Sequence, residues 1–286
     1  MTDRELALFL HESSLAGGVD FHLHSNFSDG YQSPEELVAE VFEKELTAFS
    51  LTDHDNMDGI PRARKAVSGR VLFIPGVELS SRFEDQEIHI LGYFTEDQPA
   101  GMMEYLELQV RERAERNLAM IHKLNNLGYA IRPEDLDSYG NKKTLPGRVH
   151  MALWLVEHGG LHSIGEAFAR LLKEGAPAFV YRKRHLAGET IRLIRESGGV
   201  AVIAHPQQYG WCDLSDPQTP RLFRERLSRL KAAGLSGIEC FHGQATGEES
   251  AFMQKLALEA GLICTAGSDS HGRAETHTAM YDGRSL

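Results

Sequence analysis

The sequence predicts an α/β barrel that is interrupted by an all-helical insertion. Short apolar strand signals alternate with helical signals up to about Phe94 and again from about Gly188, which is typical of repeated βα units. Between about Gly101 and Ala176, apolar residues recur every three or four positions and no strand signal interrupts them. We therefore expect residues 1–98 and 179–286 to build one barrel and residues 99–178 to form an inserted, substrate-covering helical domain.

Helix-start signals and short apolar runs define the first half of the barrel. Ser33 and Glu36 have the spacing of a capping box, and Pro34 between them suits the first position of a helix. Strands are expected at Val19–His24, Ala48–Thr52, Val71–Ile74 and Glu87–Phe94, with a short segment at Val77–Ser81. Helices are expected at Ser33–Leu46 and Asp58–Val67.

The insertion and the second half of the barrel follow from the same kinds of signal. A long helix from about Gly101 to Leu127 ends at Gly128, and further helices are expected at Pro146–His158 and Ser163–Lys173. The chain then alternates helices and strands, which favours parallel pairing. The helices are expected at Gly188–Ser197, Thr219–Ala233 and Glu248–Gly261, and the strands at Val200–Ala204, Gly237–Cys240 and Leu262–Ala266.

Charge and composition exclude several classes of function. The chain has 30 Lys and Arg against 41 Asp and Glu, a formal charge of −11, which argues against duplex DNA as a partner. No apolar run approaches the roughly 20 residues of a membrane span. Asp3 and Glu5 stand where a signal peptide would be positively charged, and three cysteines lack the spacing of a metal site. We therefore expect a cytoplasmic protein with reduced thiols.

Nine His, Asp and Glu residues lie at or just beyond the C-terminal ends of predicted strands. His22 and His24 are two apart on the first strand, so both side chains face the same side of it. Each residue alone is typical of a satisfied polar group or a turn. Their recurrence at the end where α/β barrels gather active sites instead favours one shared metal site. The nine residues are His22, His24, Asp29, His54, Glu78, His89, His205, Asp269 and His271.

These residues belong to stretches that resemble the polymerase and histidinol phosphatase (PHP) superfamily. The stretches span residues 20–272, nearly the whole chain. The resemblance implies a distorted seven-stranded β/α barrel that holds two or three divalent metal ions. The matching stretches are Asp20-Phe-His-Leu-His-Ser25, Ser28-Asp-Gly30, Thr52-Asp-His-Asp55, Pro75-Gly-Val-Glu78, His89-Ile-Leu91, Ala204-His-Pro206 and Gly267-Ser-Asp-Ser-His-Gly272.

The resemblance also implies how the nine residues are shared among the ions. One ion would be held by His22, His24, Glu78 and Asp269. Glu78 would bridge to a second ion that is bound by His89 and His205. A third ion would be held by Asp29, His54 and His271. Neutral imidazoles with carboxylates suit Mn, Fe or Zn, and Mn is the usual metal of the family.

The insertion resembles one subgroup of that superfamily. Its stretch Leu145-Pro-Gly-Arg-Val-His150 is similar to stand-alone bacterial enzymes that act on nucleoside 3',5'-bisphosphates, some of which also trim short RNA from the 5' end. Val149 departs from the subgroup, which usually carries proline there. The resemblance implies a small nucleotide or short RNA as the substrate.

Basic residues point independently to a phosphate. Arg148 stands at a predicted helix start, where backbone N–H groups favour an anion, and Arg184 lies where the insertion returns to the barrel. Guanidinium groups suit bidentate phosphate contacts, so we expect both arginines to bind substrate. His242 and Glu239, near the end of a predicted strand, are expected to face substrate or to support the ligands.

We therefore predict a phosphoric ester hydrolase that removes the 3' phosphate of a nucleoside 3',5'-bisphosphate and leaves the 5'-monophosphate. Bound metal would lower the pKa of a water to about 7 and present hydroxide to the phosphorus. His271 and His205 are the candidate donors of a proton to the leaving oxygen. Two alternatives stay open: a histidinol-phosphatase-like phosphomonoesterase, and a non-catalytic barrel that binds metal or nucleotide. The sequence leaves the oligomeric state open.

Overall fold

Seven strands form a sheet in which each strand pairs with the next one along the chain. The computed structural model describes residues 1–136, 139, 146–181, 185–272 and 278–281. It divides into two compact units, one of Met1–Met103 with Arg184–Leu286 and one of Glu104–Lys183. The strands, all in the first unit, are β1 Val19–Leu23, β2 Ala48–Leu51, β3 Leu72–Phe83, β4 Gln86–Tyr93, β5 Val200–Ile203, β6 Gly237–His242 and β7 Ile263–Gly267.

Helices alternate with the strands of the barrel and make up the inserted stretch. In chain order they are α1 Asp3–Ala16, α2 Pro34–Glu43, α3 Ile60–Val67, α4 Ala100–Asn126, α5 Arg148–His158, α6 Ile164–Ala167, α7 Ala187–Glu196, α8 Thr219–Ala233 and α9 Gly247–Ala260. The capping box of Ser33 and Glu36 begins α2, as the sequence predicts. Among the described residues, no helix has both the length and the apolar character needed to cross a lipid bilayer.

The predicted α/β barrel is confirmed, but its pairing is mixed rather than parallel. β3 pairs with β4, and β4 with β5, in antiparallel register, while the other neighbours are parallel. The two short segments predicted at Val71–Ile74 and Val77–Ser81 form one long strand, β3. It turns back through Glu84 and Asp85, with Phe83 paired to Gln86. That turn lacks the Asn-Gly or Asp-Gly sequence that marks a tight hairpin, so the sequence did not indicate it.

The barrel closes at one end through the two terminal strands. The His24 N–H donates to the Ser270 carbonyl at 3.0 Å, and the Asp269 N–H donates to the His22 carbonyl at 2.9 Å. These two bonds join the end of β1 to the segment that follows β7. As a result, the end of β1, with His22 and His24, lies next to Asp269, which follows β7.

Helix α1, which the sequence analysis did not identify, covers the edge of β7 below that closure. The Ser14 hydroxyl accepts the Ala266 N–H at 3.0 Å, and His11 Nδ1 accepts the Cys264 N–H at 3.1 Å. Leu6 and Leu10 of the same helix are fully buried in the core cluster of the barrel. Side chains of α1 thus satisfy strand amides that would otherwise be an unpaired edge.

The second unit has a hydrophobic core of its own. Met120, Ile121 and Leu124 of α4 belong to the same buried cluster as Met151 and Leu155 of α5. Within the described part of this unit, the backbone is helical or irregular, as predicted. The helix predicted at Ser163–Lys173 instead ends at Ala167 and continues as a π-helical stretch, Phe168–Leu172.

The contact between α1 and β7 predicts the effect of Ser14→Ala. This substitution leaves the buried Ala266 N–H without its acceptor, so we expect the free energy of unfolding to fall by about 1–3 kcal/mol. Urea unfolding of the purified protein measures this change. The neighbouring Ser13→Ala, which removes a hydroxyl from the same helical turn, is the matched control. Equal stabilities of the two variants would contradict this role of α1.

Candidate metal centre

Glu78 of β3 is a buried carboxylate surrounded by imidazoles. Its side chain has no exposed surface, and each of its two oxygens faces more than one histidine. The distances to Oε2 are 3.3 Å from His22 Nε2, 3.2 Å from His24 Nε2 and 3.0 Å from His54 Nδ1. The distances to Oε1 are 2.9 Å from His89 Nδ1 and 3.0 Å from His205 Nε2. Residues from four strands or strand ends therefore converge on one side chain.

Nitrogen and oxygen atoms form three overlapping groups around this carboxylate. Within each group, the potential ligand atoms all lie within 4.8 Å of one another. The groups are His22, His24, Glu78 and Asp269; His24, Asp29, His54 and His271; and His54, Glu78 and His89. The first matches the set that the resemblance implies. In the others, His24 joins the Asp29 group and His54 joins Glu78 and His89, while His205 contacts Glu78 without entering a group.

The hydrogen-bonding state of these atoms fits a bound cation. Among the described residues, His22 Nε2, His24 Nε2 and Glu78 Oε2 are buried and make no hydrogen bond. Buried polar atoms without partners are costly, and a divalent ion would satisfy all three. Imidazole nitrogens and carboxylate oxygens are ligands that suit a transition metal such as Mn, Fe or Zn. The residues present therefore fit divalent-metal binding.

The short distances between carboxylates and imidazoles also determine the protonation states of the site residues. Burial alone would raise the pKa of the Glu78 carboxyl, but His54, His89 and His22 beside it hold that pKa well below its usual range. Burial opposes the protonation of His24, yet Asp269 and Glu78 raise its pKa to about 10. For His54, burial prevails and lowers the pKa to about 4. Without metal, His24 is therefore protonated at neutral pH and His54 is neutral.

Asp53, between Thr52 and His54, organises the loop after β1 rather than pointing to the groups. Its carboxylate accepts the N–H and the hydroxyl of Ser25 and the hydroxyl of Ser28, each at 2.7 Å. Gly30 must lack a side chain in this loop, because an added Cβ would lie 2.3 Å from the His24 carbonyl oxygen. The loop thereby carries Asp29 to His271, whose Nε2 lies 3.3 Å from Asp29 Oδ1. Asp53 was not predicted as a site residue, although its position in Thr52-Asp-His-Asp55 was a signal.

His242 lies beside Asp269 with its side chain fully buried. Its Nδ1 accepts the Gln244 N–H at 3.0 Å, so a neutral imidazole carries its hydrogen on Nε2. That nitrogen is 3.5 Å from Asp269 Oδ2. His242 was predicted to bind substrate, and the structure places it against a predicted ligand.

Two site residues adopt backbone conformations that are rare for side chains with a Cβ. His205 has φ 31° and Asp269 has φ 58°, both in the left-handed region. Such conformations cost of order 1–3 kcal/mol each and persist where surrounding contacts impose them. Each lies just after the end of a strand, His205 after β5 and Asp269 after β7. The turns therefore direct His205 and Asp269 to the same end of the barrel.

Of the two predicted phosphate-binding arginines, Arg148 is the first residue of α5 in the second unit. Its guanidinium carbon lies 5.9 Å from the ring centroids of both Phe168 and Phe179. Arg184 lies outside the described residues. The structure thus gives Arg148 a defined surrounding at a helix N-terminus, where an anion is favoured.

The raised pKa values of His22 and His24 predict how stability depends on pH. Between about pH 7 and 8 the folded, metal-free protein holds protons that unfolded histidines, with a pKa of about 6.5, have lost. The free energy of unfolding should therefore fall as pH rises, by up to about 1.4 kcal/mol per pH unit for each such proton. Urea unfolding with a chelator present measures the slope. His24→Gln should reduce it, the exposed-site variant His162→Gln should not, and stability that rises with pH would contradict the assignment.

Comparisons with known proteins identify the family of this chain. Residues 20–142 match the family model of the PHP domain. A 5'-3' exoribonuclease of Haemophilus influenzae is 32% identical over 88% of this chain and 89% of its own. A 3',5'-nucleoside bisphosphate phosphatase of Chromobacterium violaceum is 30% identical over 90% of this chain and 88% of its own. A crystal structure assigned to a metal-dependent phosphoesterase of Bifidobacterium adolescentis has a TM-score of 0.75 and 26% identity, with 94% of both chains covered. The chain belongs to the PHP domain family.

Proposed function

We propose that this protein is a metal-dependent phosphoesterase that hydrolyses the 3' phosphate of nucleoside 3',5'-bisphosphates to the 5'-monophosphate. Trimming of short RNA from the 5' end is proposed as a second activity. The observation that carries the proposal is the convergence of five histidines on the buried Glu78 carboxylate, next to Asp29 and Asp269. Relatives that cleave phosphate esters of nucleotides or RNA support it.

The nine predicted residues would hold two or three divalent ions, with Mn proposed as the metal. We assign one ion to each set that the sequence resemblance implies, because a neutral imidazole has one lone pair and can hold one ion. The sets are His22, His24, Glu78 and Asp269; Glu78, His89 and His205; and Asp29, His54 and His271. Bound ions supply Lewis acidity, which activates water for attack and offsets the charge that builds on the phosphoryl oxygens. The protein contributes the fixed positions of the ligands and a carboxylate that stays ionised.

His205 and His271 are proposed to protonate the leaving oxygen. Burial lowers the pKa of His205, although Glu78 opposes this effect, so its imidazole is predominantly neutral at pH 7 and carries one hydrogen. His271 Nδ1 lies 2.9 Å from the Asp269 carbonyl oxygen and donates its hydrogen there when neutral. Its Nε2 then presents a lone pair towards Asp29. This arrangement suits ligand binding by His271. Proton transfer to the leaving oxygen would require the protonated form of either ring, and the lowered pKa of His205 makes that form scarce at pH 7.

A second phosphate on the substrate explains a separate basic residue. The ions need only the phosphate that is hydrolysed, whereas Arg148 belongs to the helical unit and not to the groups around Glu78. We propose that Arg148 binds the phosphate that is not hydrolysed, at the N-terminus of α5. Arg184 is proposed to share this role on sequence grounds alone.

Replacing the central carboxylate should remove both metal and activity. Glu78→Gln keeps the shape of the side chain but removes the negative charge that five imidazoles face. We expect most of the bound divalent metal to be lost. Phosphate release with added Mn should fall at least about a hundred-fold, because the cations that would stabilise the transition state are lost with their central ligand. Metal analysis and a phosphate-release assay measure both effects. Glu12→Gln on the exposed face of α1 is the control, and unchanged metal content in Glu78→Gln would refute the assignment.

The substrate is tested by comparing kcat/KM for 3',5'-bisphosphate, 3'-monophosphate and histidinol phosphate in wild type and Arg148→Ala. We expect wild type to prefer the bisphosphate. A charge-assisted contact is worth about 1.5–3 kcal/mol, so Arg148→Ala should lose roughly ten- to a hundred-fold on the bisphosphate and little on the monophosphate. Arg132→Ala, which removes an exposed arginine of the same unit, is the matched control.

Each other outcome of this experiment has a definite meaning. Equal losses on both nucleotides would assign Arg148 to the reacting phosphate, and no loss would exclude it from substrate binding. A preference for histidinol phosphate would support the alternative phosphomonoesterase. Failure to release phosphate from any substrate with any supplied metal would favour a non-catalytic binding barrel.

A further inference from the structure

Strand β6 contributes no atom to the three ligand groups found among the described residues, yet it carries a fully buried carboxylate beside them. Glu239 has no exposed surface and points into the barrel between β5 and β7. Its neighbours along the strand, Ile238 and Cys240, are apolar and equally buried. A buried carboxylate in an apolar strand is costly unless its contacts repay the loss of hydration.

Both oxygens of Glu239 accept hydrogen bonds from residues of the metal centre. Oε1 lies 2.8 Å from His22 Nδ1, and Oε2 accepts the backbone N–H of His205 at 2.8 Å. Imidazole is a stronger base than carboxylate, so in a bond of this length the shared hydrogen belongs to the ring. An ionised carboxylate can only accept, so the hydrogen of the first bond must reside on His22 Nδ1.

This bond determines which nitrogen of His22 is available to an ion. With hydrogen on Nδ1, the lone pair of the neutral ring is on Nε2. That atom lies 3.3 Å from Glu78 Oε2 and 3.5 Å from Asp269 Oδ1, inside the first ligand group. The opposite tautomer would place the Nδ1 lone pair against the carboxylate and a hydrogen where the ion would bind.

We propose that Glu239 is a positioning residue for metal binding, which holds His22 in its Nδ1–H form and fixes the backbone of His205. The inference rests on the proposed function to the extent that an ion binds at Nε2 of His22. A carboxylate that donates nothing and accepts from a ligand histidine raises the basicity of that ligand and fixes its orientation.

The residues around Glu239 leave room for its contact with His22. Gly267 on the neighbouring strand leaves room for it, because an added Cβ there would lie 2.5 Å from Glu239 Oε1 and 2.2 Å from His22 Cβ. The second bond reaches His205 at the residue whose φ of 31° places it in the left-handed region. One carboxylate therefore couples a ligand on β1 to a strained turn after β5.

Glutamine cannot replace Glu239, although it has the same shape. If its carbonyl accepts from His22, its NH₂ group meets the N–H of His205, and two donors face each other. If it is flipped, the NH₂ group donates to His22 Nδ1 and forces hydrogen onto Nε2. Glu239→Gln thus removes the acceptor pattern without creating a cavity.

The experiment measures metal affinity rather than turnover. Competition with a metallochromic chelator gives the dissociation constant for Mn²⁺ in wild type, Glu239→Gln and the control Thr265→Val. Thr265 is buried and pairs with Glu239 across β6 and β7, but it does not contact His22 or His205 through any described hydrogen bond. We expect Glu239→Gln to weaken binding roughly ten- to a hundred-fold and Thr265→Val to change it little. Equal affinities of Glu239→Gln and wild type would overturn the proposal.

A second measurement uses wild type alone and does not depend on folding of the variant. NMR of ¹⁵N-histidine-labelled protein loaded with Zn²⁺, which is diamagnetic, reports the hydrogen on each ring nitrogen. Hydrogen on Nδ1 of His22 supports the proposal, and a hydrogen-free Nδ1 overturns it. A wild-type protein that binds neither ion would instead contradict the proposed function.

Discussion

The structure of the site depends on one buried negative charge, the Glu78 carboxylate, enclosed by five imidazoles. Burial alone would raise the pKa of an isolated carboxyl group in this position, because it disfavours the charged form. The nearby histidines reverse that effect and keep it ionised. The same proximity leaves ring nitrogens of His22 and His24 without hydrogen bonds among the described residues. The cluster is therefore incomplete as a hydrogen-bonded network, and its atoms fit the binding of divalent cations.

The barrel serves this cluster by directing strand ends to one place. Closure between β1 and the segment after β7 brings His22 and His24 to Asp269, and the hairpin of β3 and β4 places His89 beside Glu78. Glu239 and Asp53 are buried carboxylates that hold neighbouring backbone and side-chain groups instead of facing the cation groups. Glu239 and Asp53 are both buried, like the predicted ligands His22, His24 and Glu78.

This architecture leaves part of the edge of β7 without a neighbouring strand, and its backbone N–H groups need other acceptors. Among the described residues, β1 and the segment after β7 are hydrogen-bonded at the end that bears the site, and β7 has amides below this closure that β1 does not pair. Helix α1 accepts them through Ser14 and His11 and adds Leu6 and Leu10 to the barrel core. A helix outside the repeating βα units therefore contributes to the stability of the strand that leads to Asp269.

The sequence by itself determined the barrel, the helical insertion and the nine residues that meet at the site. Those features depend on local signals: apolar periodicity, capping residues, and polar residues at strand ends. Tertiary structure decided the antiparallel hairpin, the role of α1, the sharing of His24 and His54 between groups, and the contacts of Glu239 and Asp53. Each of these depends on distances between residues far apart in the chain, such as the 2.8 Å between Glu239 and His22. The periodicity of apolar residues, or a motif, specifies which side of a strand a residue faces. Which atoms its side chain contacts is specified only by the packing of the folded chain.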